Sequence, residues 1–467
     1  MKIVVLWTDA AMLLVLLGTI AYALKVLRTP HLAVTWRKAF MRPSGAAAAT
    51  LLSFFLAIGL LDSLHFRPLL ADRAGSSQAV YSPETRSVLD NILARQQSGR
   101  ESSYSKPLAY IGYAKESVLE NGNPVRSYPR LKFGGADLQD PQNEWAHDVT
   151  TRSIEGLAIG IALTVGLVLF ASFLLKHRRR VSLRAAWQLL RRGKTSYPLR
   201  SVISTVGVLL ILCSVIVRLA AAYHVFGTDR VGNDLMYVVL KSLRTALVIG
   251  TLSTLVTMPI AVGLGITAGY LRGWIDEVIQ YIYTVINSIP YVLLIAASVL
   301  ILTVFIDGNP DRFPTASDRT DARLFFLCVI LGLTSWTDLC RLIRAEVIKL
   351  REAEYIQAAR AFGVGTWRIL AVHLVPNVMH LILISIVINF SGLILAEAVL
   401  SYVGVGVDPG MQSFGTLINT ARLELAQEPA IWWTLATAFV FMFALVLSAN
   451  ILADAIRDAF DPKAIHR

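Results

Sequence analysis

Nine apolar stretches, each long enough to cross a hydrocarbon layer about 30 Å thick, recur along this chain and constrain it more than any motif does. They fall near 3–24, 46–64, 154–175, 201–222, 243–270, 279–305, 323–343, 378–404 and 430–452. Only 16% of the residues are charged, against about 25% in soluble domains, so lipid rather than water is the main solvent. A helix satisfies its own backbone in that solvent. The expected fold class is therefore all-α, a polytopic membrane protein of about nine transmembrane helices.

Loop charges set the expected orientation. The loop 25–45 holds Lys25, Arg28, Arg37, Lys38 and Arg42 with no acid. The stretch Lys176–Arg200 carries nine Lys or Arg and again no acid. Both read as cytoplasmic. Segment 67–153 balances eleven basic against ten acidic residues, and 306–322 holds four Asp against two Arg; both suit the outside. The N-terminus is then outside and the C-terminus cytoplasmic, in a bacterial inner membrane. Ala21-Tyr22-Ala23 resembles a signal-peptidase site, but cleavage there would turn Lys176–Arg180 outward, so the first segment is read as a retained helix. The net charge of +12 belongs to these loops and not to a nucleic-acid groove.

Catalytic patterns are nearly absent. Gly193-Lys194-Thr195 looks like the tail of a phosphate-binding loop, but Gln188 stands where the earlier glycine belongs and no strand precedes it. No nucleophile elbow or zinc-protease pattern occurs. Cys213, Cys328 and Cys340 lie in or beside apolar segments and imply no structural disulfide, the histidines show no metal-ligand spacing, and no cofactor is expected.

The informative stretch follows the seventh span. From Arg341 to Asn377 it is helix-prone, punctuated at Gly363 and stopped before Pro376. Ala358, Ala359 and Phe362 share one helical face, while Arg360 and the Glu352/Glu354 pair point elsewhere. By periodicity alone this is a connecting helix on the membrane surface. However, Glu354 and Gln357-Ala358-Ala359-x-x-x-Gly363, with Pro376 downstream, resemble the cytoplasmic Glu-Ala-Ala loop of binding-protein-dependent ABC importer permeases, with Gln357 in place of the first Glu. Two further stretches resemble the C-type permease of the dipeptide/oligopeptide (peptide/nickel) family. One holds His224, Gly227, Thr228, Asp229, Gly232 and Asp234. The other runs Leu395-Ala396-Glu397-Ala398-x-Leu400-Ser401 to Pro409, then Ser413-Phe414-Gly415, with Phe414 where Trp is usual. Ala268–Asp276 and the ending Arg457–Pro462 fit as well.

The resemblance covers about 200–467 and implies a six-helix ABC importer permease core at 201–467. The accessory region 1–200 adds three transmembrane helices and an external polar segment at about 67–153. It also implies partners: a second homologous permease, two cytoplasmic ATPase subunits and an external substrate-binding protein. This chain would then be a permease for peptides and no enzyme, its work driven by the ATPases. A stand-alone secondary transporter of small solutes is the alternative, but it needs paired intramembrane charges or matched broken helices. A membrane enzyme working through 67–153 is a second alternative, although that segment offers a single histidine, His147. Gly265, Gly269 and Gly273 form a ladder suited to close helix packing. Pro290 is expected to kink the sixth span. Glu397, an acid within an apolar span, must face protein or a water-filled path.

Overall fold

The computed structural model describes residues 2–69, 81–82, 85–120, 123–193 and 197–460. Lys194 and Thr195 of the rejected triplet, and Asp461 and Pro462 of the C-terminal match, fall outside them. The chain opens with β1 (Lys2–Val4), α1 (Trp7–Arg28), α2 (Pro30–Met41) and α3 (Pro43–Asp62). Pro30 and Pro43 each occupy a first helical position, where the missing N–H costs nothing. β2 (His65–Arg67) then pairs antiparallel with β1 and with β3 (Arg86–Ser87). The start of α1 and the end of α3 therefore lie at one end of the bundle.

That end carries a cap containing α4 (Val88–Ile92), α5 (Ala94–Ser98) and a hairpin of β4 (Glu116–Glu120) with β5 (Asn123–Ser127). The last part of the expected polar segment is helical, because α6 (Pro141–Arg179) begins well before residue 154 and its first turns pack into the cap. Arg180, in the left-handed conformation, turns the chain into α7 (Leu183–Arg191), and α8 (Leu199–Ala220) returns beside α6. Gly156 and Gly160 let these helices touch: a side chain at Gly160 would meet the Ile211 Cα at 2.6 Å.

α9 (Leu235–Leu271) is the central post, packed by α3, α12, α13 and α16. α10 (Trp274–Ser288) and α11 (Tyr291–Asp307) follow, then α12 (Ala316–Thr334), α13 (Thr337–Arg351), α14 (Glu354–Ala361) and α15 (Thr366–Arg368). A π-helical turn at Ile369–Leu374 leads into α16 (Val375–Tyr402), and α17 (Phe414–Leu425) and α18 (Trp433–Phe460) complete the described chain. Gly265 and Gly269 lie where α9 crosses α13, each with an α13 backbone carbonyl 2.8 Å from where a Cβ would stand; Gly273 makes no such crossing.

Among the described residues, eight helical spans (α12–α13 and α15–α16 each taken as one) are long and apolar enough to cross a membrane, and the bent pair α10–α11 makes a ninth if counted as one. The kink expected at Pro290 is a full break of 87°. Proline disfavours a helical residue before it, and Ile289 is extended. The two halves still reach opposite ends of the bundle. Asp276 of α10 accepts from Arg344 of α13 at 2.6 and 2.7 Å, whereas Asp307 of α11 pairs with Arg323 of α12 at 2.8 Å. The helix stop expected before Pro376 is also absent. Pro376 sits in the first turn of α16, where its lack of an N–H is tolerated, and the π-turn feeds the chain into it.

Contacts run across residue 200. At the cap end of α9, the fully enclosed Arg244 donates to Asp9 of α1 at 2.6 Å, to the Thr8 hydroxyl at 2.8 Å and to Ser63 at 3.3 Å. The Thr8 hydroxyl in turn donates to Asp321 of α12. His65 meets the other oxygen of Asp9 at 2.7 Å. One turn earlier, Lys241 reaches Asp90 at 2.7 Å and Asp62 at 3.3 Å. At the opposite, basic end, Arg42 pairs with Asp458 of α18 at the surface. Removing the cation from a buried cluster leaves its acids uncompensated. Arg244→Leu should therefore lower unfolding stability in detergent by about 3–5 kcal/mol, whereas Arg42→Leu, at an exposed pair, should cost at most about 1 kcal/mol. Equal thermal shifts for the two variants would contradict this ranking.

Candidate functional site

The signature around His224 folds into a buried knot beneath the cap. Gly227 and Gly232 take φ of +81° and +80°, and the space beside each is filled by the backbone of Ser105 or Glu101, so only glycine fits. Asp234 caps α9 by accepting from the Met236 N–H at 2.8 Å, and its other oxygen meets His224 Nδ1 at 2.9 Å. His224 Nε2 faces Glu101 of the cap at 3.4 Å. Glu101 also accepts from the N–H groups of Lys132, Phe133 and Gly134. The Thr228 hydroxyl accepts from Ser105 N–H at 2.6 Å and donates to the Ser103 carbonyl. Asp229 closes its own turn by accepting from Val231 and Asn233. Trp433 of α18 donates to the Thr228 carbonyl at 3.1 Å. All six residues of this stretch singled out from the sequence come together, and they join cap, α9 and α18.

Burial disfavours the His224 imidazolium, but hydrogen bonds and charge from Asp234 and Glu101 outweigh it and lift the group to about 9. Burial would likewise raise Glu101, yet His224 and the three N–H donors bring it down to about 2. The knot is thus an ion pair at neutral pH.

Glu397 lies one helical turn before Ser401 on α16. It accepts from the Ser401 hydroxyl at 2.6 Å and the Ser413 hydroxyl at 3.0 Å, and Gly415 adds a backbone N–H. Ser413 is also the N-cap of α17. The carboxylate thereby clamps α17 across the end of α16, and a side chain at Gly415 would collide with Glu397 Oε1 at 2.7 Å. Ser401, Asp408, Asn419 and Thr420 line an adjoining cleft of about 560 Å³, with Arg323 among its walls. Pro290 does not line that cleft; it sits at the break between α10 and α11.

The stretch around Gly363 projects from the basic end, beyond the end of α9. Ile356 anchors α14 beneath α13 and the π-turn, fully buried with Ile343, Val347 and Ile369. Glu354, Gln357 and Ala358 are exposed, and Ala359 is half-buried. Gln357 donates to the Glu352 carbonyl. Gly363 ends the helix at φ +74°, with open space around it. Phe362 and Trp367 are 87% and 77% exposed, which is costly for aromatic rings in water. Pro376 lies beyond the π-turn, in the first turn of α16. Beside it is a cleft of about 400 Å³ lined by Tyr270, Arg351, Gln357 and Arg360. Arg351 Nη1 is buried there without a hydrogen-bond partner among the described residues.

Glu101, Asp9 and Asp321 escaped the sequence reading, since nothing near them is patterned. Arg244 carried the available signal, a guanidinium within an apolar run. Among the described residues no group of three or more His, Cys, Asp or Glu is placed to hold a metal ion.

Residues 261–466 match the family described as "Binding-protein-dependent transport system inner membrane component". The dipeptide transport system permease protein DppC of Lactococcus lactis is 32% identical over 241 residues, 52% of this chain. The match spans 64% of that relative's own length, just under two thirds. The oligopeptide transport system permease protein OppC of Mycobacterium bovis is 32% identical over 239 residues, 51% of this chain and 76% of its own. The structure of the MetNI methionine ABC transporter in an inward-facing conformation aligns with 48% of this chain and 97% of its own, at 16% identity and a TM-score of 0.36.

The knot carries a pH signature. A histidine raised from 6.5 to about 9 contributes stability that is fully present below 6.5 and is lost as pH rises through 9. A glutamate lowered from 4.5 to about 2 contributes above 4.5 and loses its effect as pH falls through 2. Protease resistance of the cap should therefore hold at neutral pH and fall above about pH 9. His224→Ala should cost roughly 3 kcal/mol and abolish the alkaline step. An unchanged alkaline step in the variant would show that another group titrates there.

Proposed function

Because the chain belongs to the binding-protein-dependent transport system inner membrane components, the permease subunits of ATP-driven importers, we infer that it forms half of a translocation path for peptides beside a second, homologous permease. Two cytoplasmic ATPases act below it and an external binding protein delivers the cargo above. The dipeptide and oligopeptide names of its relatives support the peptide class. The cap end faces outward and the basic end the cytoplasm, an orientation supported by the loop charges and by the partition of Asp307 and Asp276 to opposite ends of the bundle.

The tip at Ala358–Gly363 carries this reading. It is small, exposed and flanked by unsupported aromatic rings, and it is anchored through Ile356 to α13 and the π-turn, which in turn hold α9 and α16. A push on the tip therefore reaches α9 and α16 through packed side chains. The orphan Arg351 nitrogen in the neighbouring cleft is a donor suited to an ATPase carboxylate. Binding at the tip favours one of two helical arrangements, and ATPase closure alternates them.

Gly363→Val forces a β-branched side chain into left-handed backbone, at a cost of about 1–3 kcal/mol, and Ala359→Glu places a charge in the proposed contact. Both variants should insert normally but lose co-purifying ATPase and peptide uptake, since a disrupted interface centre typically costs about 2–4 kcal/mol. Full uptake by both at normal expression would refute the tip as the coupling element.

A further inference from the structure

The basic segment 176–200 carries nine Lys or Arg, and its described residues have a structure that loop charge alone did not foretell. α7 is strongly two-sided. Ala186 and Leu190 are buried against Ala171 and Leu175 of α6 and Leu199 and Ile203 of α8, so the helix lies across the ends of both spans. On the edge of this apolar face, Leu183 and Trp187, one turn apart, are each about half exposed. Arg184 and Arg191 flank this edge on the side away from the buried face, both exposed, and Arg191 stacks over the Trp187 ring at 5.5 Å. Lys176, Arg178 and Arg180 emerge exposed where α6 ends.

Two observations say what covers this face. Trp187 and Leu183 are aligned to enter the boundary between headgroups and acyl chains, the level at which Trp concentrates. The cations beside them have no acid within their own segment. Neighbouring elements hold the face rigid: Ser201 donates to the Pro43 carbonyl at 2.6 Å, and Arg37 of α2 stacks on Tyr197 at 5.3 Å. Asp458, an acid at this end, is paired with Arg42.

We propose that α7 and the end of α6 form a binding surface for anionic lipid headgroups. The apolar edge sits in the acyl boundary and the guanidinium groups take the phosphates, bidentately where geometry allows. The surface lies outside the tip and the clefts described above, so it is independent of the transport reading.

The test counts lipid retained by the full chain purified in mild detergent, by native mass spectrometry, after exposure to equal phosphatidylglycerol and phosphatidylcholine. The native chain should retain phosphatidylglycerol selectively, and salt should weaken that retention. Replacing Arg178, Arg180, Arg184 and Arg191 by Gln should lower it about tenfold or more. Lys at the same positions should keep most of it. If the fourfold variant fails to accumulate, Arg184→Gln with Arg191→Gln, both outside the spans, should still lower it severalfold. Equal retention by the native chain and the Gln variants would overturn the proposal. So would unchanged lipid with loss of an acidic protein partner, which would assign the face to that partner.

Discussion

Everything at the cap end depends on Arg244. A guanidinium enclosed at the end of a transmembrane helix is tolerable only where acids and hydroxyls surround it. Here they come from three other helices: Asp9 and Thr8 from α1, Ser63 from the end of α3, and Asp321 from α12. Each carboxylate is as costly to bury alone as the arginine is. The first two spans and α12 are therefore fixed to α9 by mutual necessity as well as by apolar contact, and lipid could replace only the latter. Lys241 repeats the arrangement with Asp62 and Asp90 and draws the start of the cap into it.

The bundle is thus asymmetric along its axis. α9, about 55 Å long at 1.5 Å per residue, is held at the cap end by buried charge and by the His224 knot. At its other end it meets α13 through glycines and aliphatic contacts, and the exposed tip hangs from that junction. Glycine crossings and apolar faces slide at little cost, whereas buried ion pairs do not. Movement driven from the tip would be absorbed among α9, α13 and α16, with the broken pair α10–α11 following, while the cap end stays fixed.

Much of this was legible in the sequence, and the failures have physical causes. Long apolar runs disclosed the spans because lipid demands them, and loop charges ordered the ends consistently. The His224 signature was visible as a motif, but its partner Glu101 lies more than a hundred residues upstream in a polar segment where no periodicity marks a contact. Pro290 was seen as a kink, and its bias on Ile289 was legible, but not that the two helices would open to 87°. Pro376 was taken as a stop because the rule against proline assumes an interior position, and the π-turn places it at a helix start. The resemblance begins near 200 and gave no sign that Asp9 and Asp62 of the accessory region would pair with charges on α9.

The claim that the inner tip is where external work enters the bundle is tested most directly by a photo-crosslinking residue at Phe362 in cells making the whole transport system. The account predicts a light-dependent adduct with an ATP-binding subunit, lost when that subunit is withheld. Adducts with lipid alone, or with proteins of the external compartment, would contradict both the orientation and the coupling role of the tip.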